Sequence, residues 1–287
     1  MPEDKNLTDL KELRRLAADE NDAEAQSRLG RMYALGEGVE ADDAEAAKWF
    51  ARAAEQGDAA AQTNMGVMCV SGRGIRPDYG AALKWFMLAA GKGQAFAMTS
   101  LGKMHEDGLG VPEDEGMAAK WYGRGAEAGD ARAQFEIAGM YAEGRGVAMD
   151  GPAAVKWAER VAEQGHVHAQ YNLGMLYAEG RAAAKDGAAA AKWFLRAAEQ
   201  GSPDAQHSLG MMHLRGDEGI PKDEAEAAKW LKLAAEQGHV GSQLVLSTLF
   251  HEGKGVARDE EASLKWHECA MKQPEKAARF LQSIPKM

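Results

Sequence analysis

Cysteine is scarce in this chain. Cys69 and Cys269 are the only two in 287 residues, and they lie too far apart in sequence to suggest a disulfide framework; a reducing compartment fits them better. Positive charge is also in deficit, with 34 Lys and Arg against 44 Asp and Glu and a formal charge of -10. A nucleic-acid backbone would on balance be repelled, and no run of Lys and Arg offsets that. Long apolar runs are missing, so no segment is expected to cross a bilayer as a helix. The opening "MPEDKNLTDL" is polar and acidic and lacks the basic-then-apolar pattern of a signal peptide. Together these absences predict a soluble cytoplasmic protein that binds no nucleic acid and has no membrane span; it would be periplasmic or secreted only if a signal peptide had been removed.

Tryptophan is present seven times, and its placement is regular. Trp49, Trp85, Trp121, Trp157, Trp193, Trp230 and Trp266 are separated by 36, 36, 36, 36, 37 and 36 residues. A fixed period of this length marks a repeat array. A lysine precedes each Trp, and Asp42, Asp78, Asp114, Asp150, Asp186, Asp223 and Asp259 each stand seven residues before it. An Asp just ahead of an Ala-rich segment of helical period predicts an N-cap. The helix it starts is expected to bury the Trp, and Gly57, Gly93, Gly129, Gly165, Gly201 and Gly238 are expected to end it.

A second helical segment occupies the rest of each unit, as in "DAEAQSRLGRMYALGEG" and "HVHAQYNLGMLYAEG". Ala25, Leu29 and Tyr33 mark its inner face, and Gly30, Gly66, Gly102, Gly174 and Gly210 permit close helix contact. Gly-x-Gly turns at Gly36/Gly38, Gly72/Gly74, Gly108/Gly110, Gly144/Gly146 and Gly253/Gly255 join the two helices. They follow helices rather than strands, which excludes the usual phosphate-loop setting. "DAEAQSRLGRMYALGEGVEADDAEAAKWFARAAEQGD" resembles a Sel-1-like repeat, a relative of the tetratricopeptide repeat. Seven such units cover 22–273, with approximate boundaries 22–57, 58–93, 94–129, 130–165, 166–201, 202–238 and 239–273. The resemblance implies an all-α, right-handed solenoid of αα hairpins that serves as a scaffold or adaptor for protein or peptide partners.

The flanks predict helical caps, as an array requires at its outermost apolar faces. In 1–21, Asn6 falls in the capping Asp column, Leu13 in the Trp column and Asn21 in the terminal Gly column. In 274–287, Pro274 suits a first helical turn, and Phe280, Leu281 and Ile284 are available to the seventh repeat. Capping at both ends predicts a nearly complete array.

Repeated columns hold the fold, so function is sought where columns vary. By resemblance to tetratricopeptide repeats, a concave groove is lined from the first helix of each unit, at positions two before and one, five and eight after the Ala-Gln glutamine. The last three also share one helix face by spacing. Units one to three place there Ser27, Arg31, Ala34, Thr63, Val67, Val70, Thr99, Lys103 and Glu106, a mixed and small set. Units four to seven place Phe135, Gly139, Ala142, Tyr171, Met175, Ala178, His207, Met211, Leu214, Leu244, Thr248 and His251, which is more apolar and aromatic. Adaptable methionines and anchoring aromatics suit a peptide-binding surface. Phe96, Arg132 and His168 extend the same wall. The candidate contact residues are therefore Phe96, Arg132, Phe135, His168, Tyr171, Met175, His207, Met211, Leu214 and Leu244. The competing account is packing against the neighbouring helix.

Two chemical readings compete with simple binding. His166, His168 and His207 would form a metal site if they converged, although helix-entry and surface histidines explain them as well. "SLGK", Ser100 to Lys103, places a lysine one helical turn from a serine, but no "SDN" or "KTG" accompanies it. His105 and His213 replace the aromatic of the Tyr33 column, and Cys69 reads as a small core residue in the same column. The expected function is non-enzymatic protein binding without a cofactor, in bacterial signalling, envelope regulation, secretion or host interaction. The alternatives are a dedicated inhibitor of a toxin or enzyme, and a groove metal site.

Overall fold

The computed structural model describes residues 3–180, 184–217 and 219–283. It divides into two compact units, 1–149 and 150–287. The first holds α1 (Glu3–Ala18), α2 (Ala23–Leu35), α3 (Asp43–Glu55), α4 (Ala59–Ser71), α5 (Tyr79–Gly91), α6 (Ala95–Glu106), α7 (Glu115–Glu127) and α8 (Ala131–Glu143). The second holds α9 (Gly151–Glu163), α10 (Val167–Glu179), α11 (Gly187–Glu199), α12 (Pro203–Arg215), α13 (Glu224–Glu236), α14 (Val240–Glu252), α15 (Glu260–Met271) and α16 (Pro274–Ser283). No strand occurs among the described residues. Within each unit consecutive helices pack on one another, so each is an all-α helical repeat solenoid.

The seven column aspartates all cap helices. Asp42 accepts from the backbone N–H groups of Ala44 and Glu45, Asp186 from Ala189 and Asp259 from Ala262, with the others in the same pattern. Each thereby satisfies donors that the first helical turn leaves free. The paired-glycine turns have a stacking role. Gly74 has φ 67°, and a Cβ on it would collide with the carbonyl oxygen of Asp43 at the start of α3. Gly110, Gly146 and Gly255 meet the backbone at the start of α5, α7 and α13 in the same way, so each of these turns rests on the second helix of the preceding repeat and its second glycine is required by contact as well as by conformation.

The tryptophan is not the deepest core residue, which corrects the expectation. Trp121, Trp193 and Trp230 are buried, but Trp49, Trp85, Trp157 and Trp266 are only half-buried. The next residue along goes deeper: Phe50, Phe86, Tyr122, Phe194 and Leu231 are all nearly inaccessible. Each lies over a first-helix glycine of its own repeat, and a Cβ on Gly66 would sit 2.5 Å from the Phe86 ring. Tryptophan covers this contact from outside and carries a cation in turn, with the guanidinium of Arg124 4.5 Å from the Trp121 ring and that of Arg196 4.7 Å from Trp193.

Buried glutamines clip the helices together. Nε2 of Gln62, Gln170, Gln206 and Gln243 donates to the carbonyls of Ala54, Ala162, Ala198 and Ala235, eight residues earlier. Met98 stands in this column in the third repeat and is packed as an apolar residue.

The caps differ from expectation in two respects. Asn6 lies inside α1, which begins at Glu3, and so does not cap it. Leu13 and Ala17 do bury against Ala25 and Leu29, and Asn21 has φ 53°, the sole positive-φ residue other than glycine among those described. At the other end α16 does not continue the stacking pattern. Phe280 reaches past the N-terminal end of α14 to α12, where its ring stands edge-on to His207 at 5.7 Å. Leu281 is 55% exposed, and Ile284 lies outside the described residues.

Candidate partner-binding surface

Steps of four and three along a helix keep side chains on one face. In unit 2 this brings Met175 and Ala178 of α10 together with His207 and Met211 of α12. They line a hollow of about 350 Å³ that is closed below by Phe194 and Met212 and bordered by Glu179, Lys185, Arg215 and Asp217. Three candidate contact residues, Met175, His207 and Met211, thus meet in one cavity. Flexible thioethers on its wall can adapt to differently shaped apolar groups.

Unit 1 holds a smaller hollow, of about 230 Å³. Val67, Val70, Phe86, Phe96, Met104 and Leu109 make it apolar, and Thr99, Lys103 and Arg132 stand at its edge. Phe96 is 49% exposed. The sequence marked Phe96 and Arg132 but ranked this half of the groove as mixed and small. The missed part of the apolar wall comes from Phe86 and Met104, core residues that are nearly inaccessible and floor the hollow, and from half-buried Leu109 in the paired-glycine turn. Glu106, also in a groove column, is bound by its neighbours: the Tyr122 hydroxyl donates to it at 2.9 Å, Arg145 at 3.2 Å and Lys103 at 3.3 Å. Burial would push its carboxyl up, and those donors hold it below the usual range.

Other candidates fall in different surroundings. The column one after the glutamine is a seam between successive first helices: Ser27 donates to Asp58 at 3.0 Å and Thr99 to Asp130 at 2.9 Å. In the same column, Nδ1 of His207 is 2.9 Å from Oγ of Ser242. Tyr171 lies 5.7 Å from the Phe194 ring and bonds to Ser208, so half of it is committed to packing. Leu244 is 8% exposed and sits among Val240, Ala270 and Ala277; it offers a partner no free surface. Leu214 packs beside Leu246 and Leu249. Phe135 is half-buried, and His168 and Arg132 are exposed, Arg132 lying 3.8 Å from Glu136.

The histidines do not converge as a trio. His166 and His168 are exposed at the start of α10, whereas the ring of His207 is 4.5 Å from that of His239. Among the described residues no group of three or more His, Cys, Asp or Glu could hold a metal ion. Burial, with His239 and Arg215 adding to it, depresses the His207 pKa to about 3, so its imidazole is neutral. Ser100 and Lys103 are not paired either. The Ser100 hydroxyl donates to the Phe96 carbonyl at 2.9 Å, and Lys103 reaches Asp107 at 2.7 Å. Cys69 is buried, and desolvation raises its thiol pKa.

Helical hairpins stacked at a fixed period, with variable hollows on the first helices, define an αα-repeat scaffold. The Sel1 repeat model matches seven times, over 23–58, 59–94, 95–130, 131–166, 167–202, 203–239 and 241–275, and the chain belongs to the Sel1 repeat family. Such repeats mediate protein–protein interaction, and their fold is typically a non-enzymatic scaffold. The chain is similar to c5321, a protective antigen present in uropathogenic Escherichia coli strains that displays an SLR fold, with 32% identity and TM-score 0.86 over 92% of this chain and 56% of that one. It is similar also to a Sel1 repeat protein from Oxalobacter formigenes, with 35% identity and TM-score 0.71 over 94% of this chain and 78% of that one. The chain thus spans little more than half the length of the E. coli protein. No curated protein matches it. No described helix is long and apolar enough to cross a membrane.

Proposed function

We propose that the chain is a non-enzymatic adaptor that captures a protein or peptide on the first-helix faces of its units. The observation that carries this reading is the hollow where Met175, His207 and Met211 meet over Phe194. An apolar concavity with a few polar groups at its border is the usual form of a binding site. Phe96 and Arg132 would supply a second contact area in unit 1, and His168 and the exposed part of Tyr171 would flank the first. The two free cysteines suit a reducing compartment, and we place the adaptor in the cytoplasm. The similar proteins from E. coli and Oxalobacter formigenes support a bacterial setting, and within it the adaptor would serve signalling, envelope regulation, secretion or host interaction.

The test is affinity capture from a bacterial lysate with the wild type beside a Met175→Lys/Met211→Ala variant whose melting curve matches it. A protein retained by the wild type and lost by the variant is the expected result. Identical protein sets on both baits would remove the hollow from the binding surface.

A further inference from the structure

The face that carries the methionine hollow is already partly occupied by the chain itself. α16 leaves the repeat pattern and turns back across the N-terminal end of α14. Phe280 lies edge-on to His207 and so close to Gly241 that a Cβ there would stand 2.7 Å from its ring. Around Phe280 is a cavity of about 470 Å³, lined by Asp204, His207, His239, Val240, Gly241 and Lys276. His207 also lines the methionine hollow, so one imidazole separates the filled seat from the open one.

The hold on α16 is slight. Ala277 is fully buried and Phe280 half-buried, while the rest of the helix whose side chains are described is exposed. A helix of ten residues is about 15 Å long and marginal by itself in water. It covers one side of His207 and leaves the other open.

We propose that α16 is an internal ligand of this face, and that the partner is a longer amphipathic helix presenting an aromatic side chain, which displaces α16 and continues into the methionine hollow. This rests on the adaptor reading above. α16 supplies the chemistry of the ligand: a small residue, Ala277, three positions before the aromatic, and a basic residue, Lys276, four positions before it. Lys276 lines the same cavity as Asp204, so a basic residue at that position in the partner would meet the same carboxylate.

A fluorescein-labelled peptide of the sequence "KQPEKAARFLQSIPKM", followed by anisotropy, tests this with the full chain. In the wild type the tethered helix competes; in Phe280→Ala the seat is vacated. The expected result is binding to the Phe280→Ala chain about tenfold or more tighter than to the wild type, because apparent affinity falls with the fraction of chains whose site is free. The same peptide with its Phe replaced by Ala should not bind. Equal affinity for both chains, or none for Phe280→Ala, would overturn the proposal. Equal affinity that is lost in Met211→Ala would refute competition by α16 and leave the hollow as a binding site, which separates the two failures. Should circular dichroism show that Phe280→Ala disturbs the last repeat, Phe280→Leu takes its place, with an expected gain between those of wild type and the vacated seat.

Discussion

A glycine on one helix and the ring lying over it on the next make one packing unit, and the second residue has meaning only with the first. A Cβ on Gly174 would stand 2.6 Å from the Phe194 ring, and close-packed interiors give way little. Gly174→Ala should therefore cost about 1–3 kcal/mol, as overpacking does. In a Phe194→Ala background the same change should cost less, because the fourth repeat pairs Ala138 with Ala158 at those positions. Urea unfolding of the two single variants and the double checks this; strict additivity would refute the pairing. The contact was only half legible in sequence. The tryptophan stood out because it is invariant in its column, and the glycine because it fills five of seven places, with Ala138 and Ser247 in the others. The partner column reads Phe, Phe, Tyr, Ala, Phe, Leu, His, which hides a shared role behind changing chemistry. Tryptophan's own persistence has a different cause: its apolar body covers the hairpin while its outer face takes an arginine in four of the repeats.

Between elements, the glutamine clips pass on to a second glutamine where the sequence allows it. Nε2 of Gln56, Gln200 and Gln237 donates to Oε1 of Gln26, Gln170 and Gln206. In the second repeat Lys92 occupies the donor's position and binds the Gly57 carbonyl instead, leaving Gln62 Oε1 buried without a partner. A buried acceptor left unpaired costs about 1–3 kcal/mol, so Lys92→Gln should stabilise the chain by about 1 kcal/mol, seen as a higher urea midpoint at unchanged slope. By contrast, Asp186→Ala removes the N-cap of α11 and should cost about 1 kcal/mol. The aspartate caps and paired-glycine turns were legible because each acts within a few residues of itself. The methionine hollow was legible as well, since Met175 and Ala178 follow from helical spacing, as does Met211 from His207. What spacing could not place was the cover on each column. Leu244 shares a column with Tyr171 and His207, yet Ala270 and Ala277 close over it, because the chain past the last repeat turns back onto α14.

At the scale of the molecule, an array gains stability from contacts between neighbouring repeats, so a titration at one seam is felt first by the helices on either side. The seam at His207 is such a point. Ser242 lies 2.9 Å from Nδ1 of both His207 and His239, so its single hydroxyl hydrogen serves one ring while its oxygen accepts from the other. Burial lowers both histidine pKa values. Arg215 and His239 further disfavour charge on His207, whereas Asp204, 3.5 Å from Nε2 of His239, partly opposes the fall there. From α16, Phe280 closes the site, and Lys276 lines the same cavity. Because the folded pKa of His207, about 3, lies below its ordinary value of 6.5, the unfolded chain takes up the proton first as pH falls. The stability held by the neutral ring is complete above pH 6.5 and is lost progressively from there toward pH 3. One such proton gives a slope of up to about 1.4 kcal/mol per pH unit. Between about pH 6.5 and 5 most carboxylates stay ionised, so the histidines dominate the change. Hydrogen exchange of α14 and α16 amides should accelerate across that interval beyond the intrinsic chemical dependence, while amides of α4 and α5 in unit 1 should not. In His207→Gln the acceleration should be markedly smaller, because the seam then contains one fewer ring to protonate; an unchanged profile would show that another group sets the acid sensitivity of the last repeats.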